Sequence, residues 1–376
     1  ATKGGAKAKA RLFLSSSPSL RRSVAPSLPS PMRYRTLGRS SIKVSEIGFG
    51  CWTMGGPNWS SANGQPIGWA DVNEDDVLAG IKAGLDAGVN HWDNADVYGN
   101  GKAERLLGHC LRKLGLGKGL ARDGQVIATK VGHFKGTAPH AYDPRQIRHQ
   151  CETSLRNLGV DVIDLYYFHH GTFVGPGFAG EQHDYLHEAA ATMHALVKEG
   201  KVRAVGQSGY SEDDLERAVP VVKPDVIQSK ANLRFSDLIR AGSRCQKLMD
   251  AHGCSYVAFG PLDQGILLDK FDPANPPKFE EGDYRNSRKD FASATLQGVK
   301  DKLAMVKARF CPGASPEEAT AVLASVACRW LLAHPHVCSA IPGFRNARQA
   351  SCNLRAASDA PMSADDAAWL RELFKA

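Results

Sequence analysis

The chain of 376 residues is 43% hydrophobic, which is enough for the core of one large domain or of two ordinary ones. No run of the sequence approaches the roughly 18 uninterrupted apolar residues that a membrane-spanning helix needs, so the composition predicts a soluble globular protein without a membrane partner. The formal net charge of +8 would suit a nucleic-acid partner, but six basic residues lie in the acid-free segment 1–31 and the remainder is close to neutral, which argues against one.

The first 31 residues form a basic, serine-rich leader without an acidic residue. This composition predicts disorder, and it is typical of an organelle transit segment, of a disordered extension or of an expression artefact. We therefore expect a disordered leader at 1–31 and a globular region at 32–376. The location is a chloroplast or another organelle if the leader is a transit segment, and the cytoplasm otherwise. The nine cysteines include no C-x-x-C pair, which indicates a reducing compartment.

Strand-like and helix-like segments alternate from Tyr34 onward. A hairpin with its turn near Gly38 to Ser40 comes first, and the apolar strand "IGFGCW" follows it. The segment 73–88 has an asparagine cap, an acidic first turn and a terminal glycine, which together predict a helix. Apolar residues at three- and four-residue spacing predict a second helix at 101–114, after the strand "VNHWD".

The same alternation continues to the end of the chain. The strands are "VIATK", "VIDLYYF", "VRAVGQS", "DVIQS", "SYVAF" and "VCSAIP", and helices are predicted at 143–159, 184–199, from 211 onward, 236–252, 315–333 and 346–357. Residues 268–312 are expected to form a long irregular insertion. Its charged stretch "KFEEGDYRNSRKDF" is interpreted as a solvated face or a subunit contact.

Eight successive βα units require parallel strands, and they indicate a closed (β/α)8 TIM barrel with an N-terminal hairpin and a C-terminal helical extension. A doubly wound dinucleotide-binding fold is the main alternative, and its first turn should carry G-x-G-x-x-G. Gly48 and Gly50 supply two of these glycines, but Thr53 occupies the position of the third. The alternative is therefore excluded.

Polar side chains follow the strands of the predicted barrel at their C-terminal ends, where the active sites of such barrels lie. These ends carry one aromatic side chain and five polar ones: Phe259, Asp93, Lys130, His169, Ser208 and Gln228. Each polar residue alone has an ordinary explanation, as a turn cap, a lysine that reaches solvent or a core histidine. Together with Tyr98 they suit proton transfer, and a nearby ammonium group should lower the pKa of that tyrosine.

Two histidines raise the question of a metal site. His183 and His187 lie four residues apart on a predicted helix, a spacing that can bring two metal ligands onto one face. The intervening residues lack the glutamate of the H-E-x-x-H motif, so we expect exposed helix histidines and no metal.

Eight stretches of the sequence resemble the aldo-keto reductase family. They occur in the family's order across residues 33–375, with the leader and the 268–312 insertion least covered: "GFGCWTMGG", "AGVNHWDNADVYGNGKAERLLG", "VIATKVG", "DVIDLYYFHH", "GKVRAVGQSGYS", "DVIQSKANL", "AFGPLDQGIL" and "IPGFRNARQASCNL". The resemblance implies the same (β/α)8 barrel and an NADP(H)-dependent oxidoreductase that binds its cofactor without a Rossmann fold.

The resemblance also implies a catalytic set of Asp93, Tyr98, Lys130 and His169. Tyr98 would be the general acid in reduction, and His169 would orient and polarise the substrate carbonyl. Lys130 and Asp93 would tune Tyr98. The substrate pocket is expected to be lined by aromatic and imidazole side chains: Trp52, Tyr98, His133, Phe134 and His169.

The cofactor-binding positions follow from the same resemblance. Ser208 and Gln228 would hold the nicotinamide carboxamide, Phe259 would stack on its ring, and a strap at 260–265 would cover the pyrophosphate. The full expected set is Trp52, Thr53, Asp93, Ser208, Gly209, Gln228, Phe259, Gly260, Pro261, Leu262, Gln264, Gly265, Gly343, Arg345, Gln349 and Asn353.

Three of these positions depart from the common family pattern. Gly209 stands where asparagine is common and removes one hydrogen bond to the carboxamide, whereas Phe259 replaces tyrosine or tryptophan and keeps the stacking face. Gln349 occupies a position that is often arginine in NADPH-selective members, so a 2′-phosphate must rely on Arg345 or Arg348. NADPH is the expected cofactor, with NADH as the alternative.

The implied function is NADPH-dependent reduction of small aldehydes, ketones or sugars, or the reverse oxidation of an alcohol or sugar. A regulatory subunit is one alternative, because channel-associated β subunits share this fold and keep a bound cofactor with very slow chemistry. A metal-dependent barrel hydrolase or isomerase could also use Asp, Lys and His at strand ends, but the sequence shows no convincing ligand cluster.

Overall fold

The structure is a computed structural model that describes residues 1–2, 31–60, 63–70, 72–116 and 124–375. The predicted leader at 1–31 therefore lies almost wholly outside the described residues. Within the described residues, no helix combines the length and the apolar character that crossing a membrane requires.

Twelve strands were assigned in the described part of the chain. In chain order they are β1 (Tyr34–Thr36), β2 (Lys43–Ser45), β3 (Phe49–Gly50), β4 (His91–Asp93), β5 (Val126–Val131), β6 (Ile163–Phe168), β7 (Val174–Pro176), β8 (Gln182–Asp184), β9 (Val202–Ser208), β10 (Val226–Lys230), β11 (Ser255–Phe259) and β12 (Val337–Ile341). Eight of them form one sheet in the order β12, β11, β10, β9, β6, β5, β4 and β3.

The eight-stranded sheet closes on itself. Every neighbouring pair within it is parallel. Its two outer strands also meet, because Gly48 N donates to Ala340 O at 3.0 Å and Gly50 N donates to Pro342 O at 3.1 Å. The predicted (β/α)8 barrel is thereby confirmed, and its closure brings the C-terminal ends of all eight strands around one mouth.

The helices lie in the connections between strands and after the last strand. Their bounds are α1 (Glu74–Asp86), α2 (Lys102–Lys113), α3 (Pro144–Leu158), α4 (Leu186–Lys198), α5 (Glu212–Val222), α6 (Arg244–His252), α7 (Ser293–Phe310), α8 (Pro316–Leu332), α9 (Ala347–Ser358) and α10 (Ala364–Phe374). Capping residues visible in the sequence define several starts, since the side chains of Asn73, Ser211 and Ser315 accept hydrogen bonds from first-turn amides.

The N-terminal hairpin covers the bottom of the barrel, as its place before the first barrel strand suggests. Strands β1 and β2 pair antiparallel. Leu37, Ile42 and Val44 from the hairpin form one buried apolar cluster with barrel residues that include Leu165 and Val257. The hairpin therefore seals the N-terminal end, and the opposite end is left for a binding site.

Two predicted helices are shorter than expected. The helix predicted at 236–252 begins only at Arg244, because Gly242 has a φ of +80° and Ser243 caps the new start by accepting from Gln246 N. The helix predicted at 184–199 begins at Leu186, after a short antiparallel hairpin of β7 and β8 that the sequence reasoning did not predict.

The insertion at 268–312 is not irregular throughout. Residues Ser293–Phe310 form α7, which buries four apolar side chains at three- and four-residue spacing: Leu296, Val299, Leu303 and Val306. This spacing was present in the sequence, and it predicts a helix by the same rule that identified the others.

Candidate active site

A buried ion pair lies at the mouth of the barrel. Lys130 Nζ donates to Asp93 Oδ2 at 2.7 Å, to the backbone oxygen of Asn94 at 2.6 Å and to the Tyr98 hydroxyl oxygen at 3.3 Å. The side chains of Asp93 and Lys130 are only 3% and 1% exposed. Three of the four predicted catalytic residues therefore form one contiguous group of contacts.

The loop between β4 and α2 carries Tyr98 to this ion pair. The loop packs backbone to backbone against the turn after β3, where a side-chain carbon added at Gly55 would lie 2.6 Å from Gly99 N. Gly99 has a φ of +57°, in the left-handed region that glycine adopts readily. The two glycines allow the close approach that places Tyr98 over Lys130.

The structure corrects the expectation that Lys130 lowers the pKa of Tyr98. Burial, followed by the negative charge of Asp93, raises the Tyr98 pKa well above its usual value. Because Asp93 lies 2.7 Å from Lys130 and balances its charge, the hydrogen bond from Lys130 does not outweigh the effect of burial on the Tyr98 pKa. Tyr98 therefore keeps its proton at neutral pH.

The fourth predicted catalytic residue, His169, follows β6. Its ring lies 6.1 Å from the Tyr98 ring and 4.5 Å from the His133 ring, edge to face in both cases. Burial, followed by proximity to His133 and Lys130, lowers the His169 pKa well below its usual value. Nδ1 is buried and has no hydrogen-bond partner among the described residues. The imidazole is therefore neutral at neutral pH.

Two further predicted residues lie beside the ion pair. Gln228 Nε2 donates to Asp93 Oδ1 at 2.7 Å, so both carboxylate oxygens of Asp93 accept a hydrogen bond. Ser208 is opposite Gln228 in the register of β9 and β10, and its side chain is buried. The structure thus brings Ser208 and Gln228 together with the four predicted catalytic residues.

One cavity of about 990 Å³ opens above these groups. It is lined by nearly all the predicted cofactor and substrate residues: Trp52, Thr53, Asp93, Tyr98, His133, His169, Ser208, Gln228, Phe259, Gly260, Pro261, Leu262, Gln264, Gly265, Gly343, Arg345, Gln349 and Asn353. Residues from both halves of the chain thus meet around a single space that could hold a dinucleotide and a small substrate.

Two of the predicted cofactor and substrate residues do not line this cavity, namely Gly209 and Phe134. A side-chain carbon added at Gly209 would lie 2.8 Å from Leu215 Cδ2, so this position faces helix α5. Glycine is therefore suited to position 209 by packing against Leu215. Phe134 is half-buried outside the cavity wall.

A comparison with protein families identifies the family to which the chain belongs. The model of the aldo/keto reductase family matches residues 46–375. The chain belongs to the aldo/keto reductase family. Its members are oxidoreductases that use a nicotinamide cofactor.

Individual family members cover nearly the whole chain. A probable voltage-gated potassium channel subunit beta of Oryza sativa subsp. japonica is 29% identical and covers 88% of this chain and 93% of its own length. The NADH-specific methylglyoxal reductase of Escherichia coli (strain K12) is 28% identical over 92% of this chain and 99% of its own. The holo form of aldo-keto reductase AKR11C1 from Bacillus halodurans, 23% identical, has a TM-score of 0.65 over 91% of this chain and 96% of that one, and shares the fold.

In the present chain, four cationic side chains line part of the cavity, which we call its cationic end. Lys270, Arg285, Arg345 and Arg348 all line it. Burial, followed by the positive charges of Arg285 and Arg345, lowers the pKa of Lys270 to about 8. Within the described residues Lys270 forms no salt bridge. This end of the cavity is therefore suited to an anionic group.

The charged stretch of the insertion is a solvated face only in part, because Lys278, Glu280, Glu281 and Lys289 are exposed whereas two of its charged residues are buried. Asp283 is 0% and Arg285 7% exposed. Asp283 Oδ2 accepts from Ala70 N and from Arg285 Nη2, and the Arg285 guanidinium lies 4.5 Å from the Trp69 ring centroid. Sequence reasoning missed Arg285 because the Trp69 ring that it contacts and the Ala70 amide that Asp283 accepts from lie more than 200 positions away, and only the D-x-R spacing hinted at the pair.

The strap at 260–265 is held across the cavity by a buried carboxylate. Asp263 is fully buried, lies 2.9 Å from Lys230 Nζ and also pairs with Arg234. Asp263 and Gln264 have φ angles of +43° and +56°, which are uncommon for residues other than glycine. The ion pairs therefore stabilise a backbone conformation that would otherwise be unfavourable.

The two histidines considered as metal ligands are not on one helix. His183 lies in β8 and His187 in α4, and His183 Nε2 is 2.9 Å from Glu188 Oε1. Across the described ranges, no group of three or more His, Cys, Asp or Glu side chains is arranged to hold a metal ion.

Proposed function

We propose that this protein reduces small aldehydes or ketones with NADPH, or oxidises the corresponding alcohols or sugars, with Tyr98 as the general acid in reduction. The observation that carries the proposal is the position of Lys130, which donates to Asp93 and to Tyr98 at the base of the cavity. This arrangement suits proton transfer at the point where a carbonyl oxygen would bind.

The residues around the cavity fit a nicotinamide dinucleotide. Phe259 offers an aromatic face at the end of β11, Gln228 and Ser208 lie on the next two strands, β10 and β9, and the cationic end offers Lys270 and Arg345 to phosphate groups. The strap at 260–265 also lines the cavity. When bound, the nicotinamide would supply the hydride that no side chain can provide.

Tyr98 would transfer the proton to the substrate oxygen. Its own oxygen accepts a hydrogen bond from Lys130, which leaves the phenolic hydrogen available to the cavity. The raised pKa ensures that this hydrogen is present at neutral pH. As the proton leaves, the Lys130 ammonium would stabilise the developing phenolate, and Asp93 would keep that ammonium charged and oriented.

His169 would orient the carbonyl group. A neutral imidazole carries one N–H, and the Nδ1 atom of His169 is buried without a partner in the described part of the chain. A proton on Nε2 would avoid a buried, unsatisfied N–H and would be available to a substrate oxygen in the cavity. We therefore assign His169 the role of a hydrogen-bond donor to the same oxygen that Tyr98 protonates.

Two arginines support NADPH as the preferred cofactor. Arg345 and Arg348 line the cavity at the start of α9, where helix amides and arginine side chains both attract a phosphate. Gln349 adds no charge, and its Oε1 accepts from Arg345 N at 3.0 Å. Because the E. coli relative is named NADH-specific, family membership alone leaves the choice open.

The substitution Tyr98→Phe tests the proposed mechanism. It removes only the hydroxyl, so we expect kcat for aldehyde reduction to fall by about 10²- to 10⁴-fold, the usual contribution of a general acid. The Kd for NADPH, measured by fluorescence titration, should change little. Tyr34→Phe is the matched control, because Tyr34 is an exposed tyrosine on strand β1. Near-normal turnover by the Tyr98 variant would overturn the proposal.

A regulatory role is the second candidate, and the similarity to the rice protein named as a probable channel β subunit favours it. A sensor of this kind would bind NADPH but release it too slowly for repeated turnover. Multiple turnovers of NADPH with a panel of aldehydes distinguish the two, because we expect the enzyme to consume a molar excess of cofactor.

A further inference from the structure

The cavity wall beside Tyr98 is mostly apolar or aromatic. The side chains on this side are Trp52, Ile67, Trp69, Val97 and Tyr284. His133 also lines the cavity and contacts His169, so it adds a polar group close to the expected position of the substrate carbonyl. A polar group placed at the edge of an apolar wall is suited to selecting among substrates.

The ring of His133 is positioned by packing. It meets the His169 ring at 4.5 Å and 87° and the His170 ring at 5.4 Å and 71°. His170 is itself held, because its Nε2 lies 2.8 Å from Gly132 O. Within the described ranges neither ring nitrogen of His133 makes a hydrogen bond, and the residue is exposed at the cavity. Both nitrogens therefore remain available to a ligand.

The protonation state of His133 limits which chemical groups of a ligand it can bind. Desolvation in the cavity wall, followed by the proximity of His170 and Lys130, lowers the pKa of His133 to about 4. The ring is then neutral at neutral pH and offers one donor and one acceptor. A hydroxyl group is also one donor and an acceptor, whereas a carboxylate or phosphate would require a cation.

We propose that His133 is a specificity-determining residue that hydrogen-bonds a hydroxyl on the carbon next to the carbonyl, so that the site favours 2-hydroxy aldehydes. The inference rests on the proposed function, in which Tyr98 and His169 hold the carbonyl oxygen. A hydroxyl on the adjacent carbon would lie beside that oxygen, and the His133 ring is next to His169.

Lactaldehyde and propanal test this proposal, because they differ only by that hydroxyl. We expect the wild type to have a higher kcat/KM for lactaldehyde with NADPH. His133→Phe should lower the ratio of the two kcat/KM values by about three- to tenfold, the effect of one neutral hydrogen bond. His133→Asn, which restores a donor and an acceptor, should recover part of the ratio. Hydration of the aldehydes in water cancels when variant and wild type are compared.

The control is His109→Phe, the same substitution at an exposed histidine on α2, and it should leave the ratio unchanged. His133→Leu repeats the test with a smaller side chain if the phenylalanine variant does not fold. An unchanged ratio in active His133 variants overturns the inference and leaves the proposed function intact. A wild type that turns over only other members of the aldehyde panel overturns the inference alone. A wild type that turns over no carbonyl or alcohol substrate overturns the proposed function, and the inference with it.

Discussion

The two ends of the cavity differ in net charge. At the Tyr98 end, Lys130 and Asp93 lie 2.7 Å apart and their charges cancel. At the other end, Lys270 faces Arg285 and Arg345, and their positive charges help to lower its pKa to about 8. One end is balanced within the chain itself, and the other has an excess of positive charge.

This difference separates two tasks. The balanced end leaves burial as the dominant influence, which raises the pKa of Tyr98 and lowers that of His169, so both are neutral and ready to donate hydrogen bonds. The cationic end has more positive side chains than the Asp283 carboxylate can balance, so it attracts an anion such as a phosphate group. The three predictions that follow alter one end at a time.

Removing the cation of the Lys130–Asp93 ion pair should have the largest effect. Lys130→Met leaves the Asp93 carboxylate buried without its cation, which typically costs about 3–5 kcal/mol of unfolding free energy. We also expect kcat to fall by at least about 10²-fold, since Tyr98 loses its stabilising neighbour. Urea denaturation and steady-state kinetics measure the two effects.

Lys82→Met is the matched control, because it removes a lysine–aspartate pair that is 60% and 63% exposed. Exposed pairs contribute little, so stability and turnover should stay close to the wild type. Equal effects of the two lysine substitutions would contradict the view that Lys130 is a buried, functional cation.

Removing one cation from the other end should weaken cofactor binding while leaving the chemistry intact. We expect Lys270→Gln to raise the Kd for NADPH by about 10- to 100-fold, the value of a hydrogen bond to a charged group. A side-chain carbon at Gly265 would lie 2.7 Å from Lys270 Nζ, so this lysine lies against the strap and the Kd for NADH should rise as well. Fluorescence titration provides both constants, with exposed Lys300→Gln as control. An unchanged Kd would remove Lys270 from the binding site.

The smallest effect should be a pH dependence of NADPH affinity. Lys270 carries its charge below its pKa of about 8 and loses it above, whereas an ordinary lysine stays charged near pH 10. Because phosphate binding favours the charged form, affinity is full below that pKa and declines as the pH rises through it. We expect Kd to increase by up to about tenfold between pH 7 and pH 9. Lys270→Gln should flatten this profile, and a wild-type profile that is already flat would contradict the assignment.

Much of the architecture could be predicted because its signals are local. Helix caps such as Asn73 and Ser315 and the apolar spacing of each helix lie within a few residues of one another. Helix α7 has the same kind of local signal, because Leu296, Val299 and Leu303 have helical spacing, although an irregular insertion was expected there. The hairpin of β7 and β8 had a weaker signal, with only three residues in each strand.

The residues of the candidate site also divide into those that the order of elements predicts and those that no local pattern predicts. The order of strands and helices required Asp93, Lys130 and His169 to converge, because parallel strands of a closed barrel end on one face. The placement of Arg285 beside Trp69 had no such rule behind it, since the two residues are joined only by the packing of one loop on another.

The sequence by itself determined the barrel and the residues that meet at its mouth, because alternation and strand ends are properties of neighbouring residues. The tertiary structure alone decided the balance of charge. Whether Lys130 lowers the pKa of Tyr98 depends on how closely Asp93 neutralises it and on how much water burial removes. Distances and burial of this kind arise only when distant segments pack together. Here they raise the Tyr98 pKa, whereas the residue types alone predicted that it would be lowered.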